Sequence, residues 1–249
     1  MMIAKLKHNG NNIKVDLNKP IDISIPLRNG KKNPTAWYVE DVKIDAVKMG
    51  DWIGEVKLGA SVNFFNIFFN PHGHGTHTEC VGHITKEKQS VNQLIKKFFF
   101  FAELISVKPT SIKNDRVITR KSLSELLTNK DPEAVIIRTI PNNKDKLTKK
   151  YSNTNPPYLE ESAAKFLNDK KIKHLLIDLP SIDKEKDDGK LLAHHAFWGF
   201  PNKTRLDSSI TEFIYVPNNI KDGSYLLNLS FAPFENDASP SKPTLYKIF

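Results

Sequence analysis

Groups able to bind a metal or move a proton are concentrated in one stretch, Pro71-His72-Gly73-His74-Gly75-Thr76-His77-Thr78-Glu79-Cys80-Val81-Gly82-His83. It holds four of the chain's eight histidines. Imidazole binds divalent metals through a neutral ring nitrogen and titrates near neutral pH. In an extended segment alternate side chains share a face, so His77 and Glu79 project together. Imidazole and carboxylate converging on one point suit zinc, manganese or a related divalent ion. The alternative is a Gly/His-rich surface turn without a metal. Cys80 is the sole cysteine, which excludes an intrachain disulfide. It points away from His77 and Glu79 and reads as a small buried filler.

Other chemistries lack their signatures. There is no Gly-x-Ser-x-Gly elbow, phosphate-cradling loop or dinucleotide fingerprint. The net charge of +9 could attract nucleic acid or an anionic substrate. Its lysines are scattered, however, in pairs such as Lys31-Lys32 and Lys149-Lys150, so nucleic-acid binding is not expected. The N-terminus carries lysines where a signal peptide needs an apolar core, and no tract nears the about 18 apolar residues of a membrane span. The expected setting is the cytoplasm, with no membrane partner.

The elements that must position the motif follow from apolar patterning. Met1–Pro20 reads as an arm or hairpin turning at Asn9-Gly10-Asn11-Asn12, and residues 21–249 as one domain. Strands are expected at Ile21–Ile25, Trp37–Val47, Phe98–Val107, Ala134–Ile140, His174–Leu179, Ser209–Val216, Tyr225–Phe231 and Thr244–Ile248. Ser61–Phe69 reads as a buried strand delivering the histidines. Helices are expected at Ser122–Leu127, with Ser122 and Glu125 as a capping box, at Leu159–Leu167 and at Leu191–Trp198. The segment Ala134–Leu179 has the shape of a βαβ unit with parallel neighbouring strands.

Gly75-Thr76-His77-Thr78-Glu79 followed by His83 resembles the His-x-Gly-Thr-His-x-Asp-x-Pro-x-His signature of the cyclase superfamily, which includes bacterial kynurenine formamidase and isatin hydrolase. Ala134–Thr139, with its Arg138-Thr139 end, and the Asp178-Leu179-Pro180-Ser181-Ile182-Asp183 turn are similar to further family features. So are Thr211-Glu212, the Gly223–Tyr225 region and Asp237–Pro240. Here Gly73 stands at the family's first histidine, Glu79 at its aspartate and Val81 at its proline.

The resemblance implies a single-domain α/β protein with the swivelling β/β/α fold and a mixed sheet. It implies metal ligands His77, Glu79, His194 and Glu212, with His195 as the alternate to His194. For the displaced first histidine, His72 and His74 both sit at odd offsets from His77. A bulge at Gly73 would return His72 to phase, so His72 is the expected ligand and His74 the alternate, lining the pocket mouth. His83 is implied as the acid/base.

The implied reaction is metal-assisted hydrolysis of a small amide, lactam or ester, with water activated by Zn or Mn for attack on the carbonyl. An aryl formamide such as N-formylkynurenine, of tryptophan catabolism, is the leading small-molecule substrate. Trp37, Phe64 and Phe68 are candidate aromatic walls, and the connection from Gly199 to Asp207 a candidate wall or lid. A homodimer or homotetramer is expected. The alternatives are a metal-dependent cyclase or lyase on the same site, or a non-catalytic basic binding module with a structural metal.

Overall fold

A computed structural model describes residues 1–8, 10–127 and 131–249. Long runs of aliphatic and aromatic residues form strands covered on both faces, the pattern of a parallel sheet flanked by other layers. The strands are β1 (Ile21–Asp22), β2 (His77–Glu79), β3 (Phe99–Val107), β4 (Ala134–Thr139), β5 (His174–Ile177), β6 (Ser209–Glu212), β7 (Gly223–Phe231) and β8 (Ala238–Lys247). They hydrogen-bond in the order β7-β3-β4-β5-β6-β2-β8-β1, and β7 also pairs with β8. Seven strands therefore close into a mixed barrel, with β1 attached to β8. Neighbours from β3 to β6 run parallel, as the βαβ reading of β4 and β5 requires. The remaining pairs are antiparallel.

The helices are α1 (Val91–Leu94), α2 (Arg120–Leu126), α3 (Glu161–Asp169) and α4 (Leu192–Trp198), with α3 packed on α4. β4 shows how the strand period builds two cores. Val135 and Ile137 join the helix-covered layer with Leu167, Ile177 and Phe197, while Ala134 and Ile136 join Phe100, Leu176 and Leu227 on the opposite face. Each fully buried aliphatic side chain contributes roughly 1.5–3 kcal/mol.

Several elements differ from expectation. The cap of α2 is Thr119, whose side chain accepts from the Ser122 amide at 3.2 Å, so Ser122 lies inside the helix. Trp37–Val47 yields only Lys43–Ala46 as a long strand, because Trp37 and Tyr38 both take positive φ. Phe65–Phe68 pairs with Lys43–Ala46 in an isolated two-stranded ribbon, and Phe65, Ile67 and Phe68 are exposed. With no sheet on either side, this strand is not the buried one expected.

At the N-terminus Ile3–His8 and Asn11–Asp16 form a hairpin; Asn9, in the expected turn, lies outside the described residues. Val15 of this hairpin is fully buried and bridges to Ile248. Among the described residues no helix is long and apolar enough to cross a membrane.

Candidate metal centre

Strand pairing assembles the site. β2 lies between β6 and β8, with His77 opposite Glu212 on one side and Pro240 on the other. Glu79 is opposite Ala238, so the preceding Asp237 arrives beside it. Directly opposed residues have Cβ atoms roughly 4.5–5.5 Å apart, which brings His77 and Glu212 within reach. Thr78, out of phase, points the other way and hydrogen-bonds Thr211 at 2.8 Å.

His72 comes from a turn before β2. The Asn70 carbonyl accepts from the Gly73 and His74 amides, and the Asn70 side chain also accepts from Gly73. The expected bulge at Gly73 is absent. The left-handed residue is Gly75, at φ +65°, and a Cβ on Gly73 would lie 2.7 Å from a Val39 methyl. The position of the family's first histidine thus has no room for a side chain, and the turn presents His72 instead. His83 follows in a short 3₁₀ turn, Val81–His83. There a Cβ on Gly82 would lie 2.5 Å from the Gln89 carbonyl.

His72 Nδ1 lies 3.0 Å from Glu79 Oε2, and its Nε2 lies 2.7 Å from Asp237 Oδ2. His77 Nδ1 donates to the Gly75 carbonyl at 3.1 Å, which turns Nε2 toward Glu212 Oε2 at 3.5 Å. His194 Nδ1 pairs with Asp183 Oδ2 at 2.5 Å, and its Nε2 faces Glu79 Oε1 at 3.1 Å and Glu212 Oε1 at 3.9 Å. Asp183 also accepts from the amides of Ala193 and His194, so one carboxylate fixes both the start of α4 and the imidazole it carries. Glu212 Oε1 accepts from the Ile182 amide at 2.9 Å. His83 stacks on His72 at 4.2 Å, with Nδ1 3.4 Å from Asp237 Oδ2 and Nε2 4.0 Å from Glu79 Oε2.

Burial alone would lower the basicity of His72 and His194. The carboxylates outweigh it: Asp237 and Glu79 raise His72 to about 10, and Asp183, Glu79 and Glu212 raise His194 to about 10. Burial likewise works against ionised Glu79, but His83, His194 and His72 hold it well below the usual carboxylate range. Without a metal, protons on imidazole balance the cluster's acids.

The donor set fits a divalent cation. His77 Nε2 and Glu79 Oε2 are buried with no hydrogen-bond partner among the described residues. His72 Nδ1 approaches Glu79 Oε2 to 3.0 Å, within ionic reach, yet leaves that oxygen unsatisfied. Each orphaned polar atom costs about 1–3 kcal/mol, a penalty that a shared cation removes. Two groups of donors meet at Glu79, His72 with His77 on one side and His83 with His194 on the other, each set lying within 4.8 Å.

The structure brings His72, His77, Glu79, His194 and Glu212 together, with His83 beside them. It does not bring in the alternates. His74 is buried, accepting from the Asn70 amide through Nδ1 and bonded to the Glu40 carbonyl through Nε2, so it is a structural tie and not a pocket-mouth residue. His195 packs on Phe200. Phe64, just before the ribbon, and Phe68, on it, are exposed, whereas Trp37 lines a cavity beside the cluster. The Gly199–Asp207 connection packs back against α4, where the Arg205 amide bonds Trp198 O, so it forms neither wall nor lid of that cavity.

Sequence reasoning missed Asp237 and the support from Asp183. Both lay in segments that carried the family resemblance, but a single aspartate on a distant strand has no local signature of ligation. Cys80 is buried among Val91 and Ile95, and burial pushes its thiol up to about 12.

The family model Cyclase matches residues 21–184. The chain belongs to the Cyclase family. A search of curated proteins found no match. Among solved structures, this Cyclase family chain is similar to an isatin hydrolase bound to the product analogue thioisatinate, with TM-score 0.64 and 14% identity over 92% of each chain. It is similar to a predicted metal-dependent hydrolase from Bacillus stearothermophilus, with TM-score 0.63 and 17% identity over 92% of this chain and 98% of that one. Isatin hydrolase A from Ralstonia solanacearum gives TM-score 0.66 and 14% identity, over 92% and 91%. At these identities the likeness is one of fold.

Proposed function

We propose that this Cyclase family protein is a metal-dependent hydrolase of a small amide, lactam or ester, with an aryl formamide such as N-formylkynurenine as leading substrate. One observation carries the reading. A buried imidazole–carboxylate cluster with two orphaned ligand atoms borders a cavity of about 410 Å³, and the partly exposed His83 stands at the same cavity. The metal-dependent hydrolases and isatin hydrolases that share the fold support it.

His72, His77, His194, Glu79 and Glu212 would hold the ion, and Asp237 would orient His72. Zinc or manganese suits these nitrogen and oxygen donors. Such an ion, when bound, supplies Lewis acidity at the substrate carbonyl. Asp183 holds His194 in the tautomer that leaves Nε2 free to bind. His83 takes the proton released as water adds to the carbonyl and returns it to the leaving nitrogen or oxygen. Its position favours this role, since Asp237 lies near Nδ1 while the ring edge reaches the cavity. Trp37, Val39 and Leu191 give the cavity an apolar side suited to an aromatic ring.

The test is a panel of aryl formamides, lactams and esters assayed with zinc- or manganese-loaded protein, wild type and His83→Ala. The expected result is turnover of at least one class, falling on the order of a hundredfold or more in the variant with metal retained. Turnover unchanged in His83→Ala would remove His83 from the reaction. Metal bound tightly with no turnover of any class would favour a structural metal.

A further inference from the structure

A second cavity, of about 580 Å³, opens at the carboxyl ends of three parallel strands. Lys108 follows β3, Thr139 and Pro141 lie at the end of β4, and Leu179 follows β5. Crevices at the carboxyl ends of parallel strands are where α/β proteins commonly bind ligands. None of the metal-type cluster lines this space. Tyr151 does, and it packs against Phe213, whose ring lies 6.0 Å from His77.

The lining carries an excess of positive charge. Lys108, Arg116, Lys146 and Lys149 face a single lining carboxylate, Asp145. Lys146 is already neutralised by Asp178, at 2.7 Å. Among the described residues, no carboxylate lies within 4 Å of Lys108, Arg116 or Lys149. Among the described residues, Arg116 donates to the Asn155 carbonyl alone. The Lys149 ammonium stands 5.0 Å from the centre of the Tyr151 ring. Partial burial and the like charges of Arg116 and Lys146 lower its basicity, with Asp145 only partly offsetting them. Tyr151 is 3% exposed, and its hydroxyl makes no hydrogen bond to the described residues. Burial and the nearby Asp178 keep it protonated, so it remains a donor.

Crowded cations with a hydroxyl donor in the same cavity wall are the complement of an anion. We propose that this cavity is a binding site for a compact oxyanion, the phosphate or carboxylate group of a small molecule, held by Arg116, Lys149 and the Tyr151 hydroxyl. Its volume accommodates a metabolite-sized ligand.

Calorimetric titration with inorganic phosphate and with succinate, against chloride at equal ionic strength, tests the site. Wild type, Lys149→Gln, Arg116→Gln, Glu79→Gln and the surface control Lys5→Gln are compared. The expected result is saturable binding of one or both anions, weakened roughly 10-fold or more in Lys149→Gln and Arg116→Gln. Binding should persist in Lys5→Gln and Glu79→Gln, and the stronger of the two anions names the chemistry. Arg116 is exposed, so its variant reports even if Lys149→Gln fails to fold. Binding no stronger than chloride would overturn the proposal. So would binding abolished by Glu79→Gln but unchanged in Arg116→Gln, which would place the anion on the metal-type cluster.

Discussion

Asp178 and Glu79 are both buried carboxylates on the same barrel, in opposite states of satisfaction. Asp178 accepts from the Thr139 amide at 2.9 and 3.1 Å, the Thr139 hydroxyl at 2.9 Å and the Lys146 ammonium at 2.7 Å. Lys146 in turn spends its donors on Thr139, Asn142 and Asp178. None of the buried side-chain polar atoms of Asp178, Thr139, Asn142 and Lys146 is left without a partner. Glu79 faces three imidazoles, yet among the described residues neither its Oε2 nor His77 Nε2 has a hydrogen-bond partner. The saturated group is a structural lock between β4 and β5. The unsaturated one is arranged for something the polypeptide does not supply. Asp178 and Asp183 show the same division within one turn, since Asp178 closes the lock and Asp183 steadies His194.

The sharpest way to break this contrast is Asp178→Ala. It strands a largely buried ammonium, so the expected loss of folding stability is about 3–5 kcal/mol. Denaturant titration measures it, and the metal bound per folded chain should not change. Glu79→Gln should do the reverse. Divalent-ion affinity should fall by more than about a hundredfold, beyond what the loss of a supporting residue costs. Asp183→Asn should lie between, weakening metal affinity by about 10–100-fold through misorientation of His194. A metal affinity in Asp183→Asn equal to wild type would make that contact only a helix cap.

Buried histidines sharpen the comparison through pH. His174 lies against Phe100 and Ser209, and burial lowers it to about 3. Its unfolded value is near 6.5, so the unfolded chain takes up the proton first as pH falls. The His174 contribution is complete above about 6.5 and declines toward 3, by about 1.4 kcal/mol per pH unit. His174→Gln should flatten that slope in a stability–pH series. His72 and His194 are shifted the other way, to about 10. In metal-free protein their contribution is complete below about 6.5 and is lost as pH rises toward 10.

The sequence pattern made β4, β5 and the helix between them legible, because contiguous apolar runs and 3.6-residue spacing are local signals. The two faces of β4 follow from its period of two. Closure of the barrel is not local. It depends on β7 meeting β8 and on β2 entering antiparallel between β6 and β8. The same holds within the histidine stretch. His77 and Glu79 were in register by strand period alone. His72 and His74 were equally out of phase, and they are separated only by the Asn70 turn, the left-handed Gly75 and the Glu40 carbonyl that ties down His74. Phe65–Phe68 has strand-forming residues, but its burial depended on a sheet that is not beside it.

The most direct measurement is calorimetric titration of metal-stripped protein with zinc and with manganese, in two buffers of different ionisation enthalpy. The expected result is saturable binding of one or two ions per chain with release of protons, because His72 and His194 must give up theirs to bind. A rise in melting temperature should accompany it. No saturable binding of either ion and no stabilisation would contradict the assignment of this cluster as a metal centre.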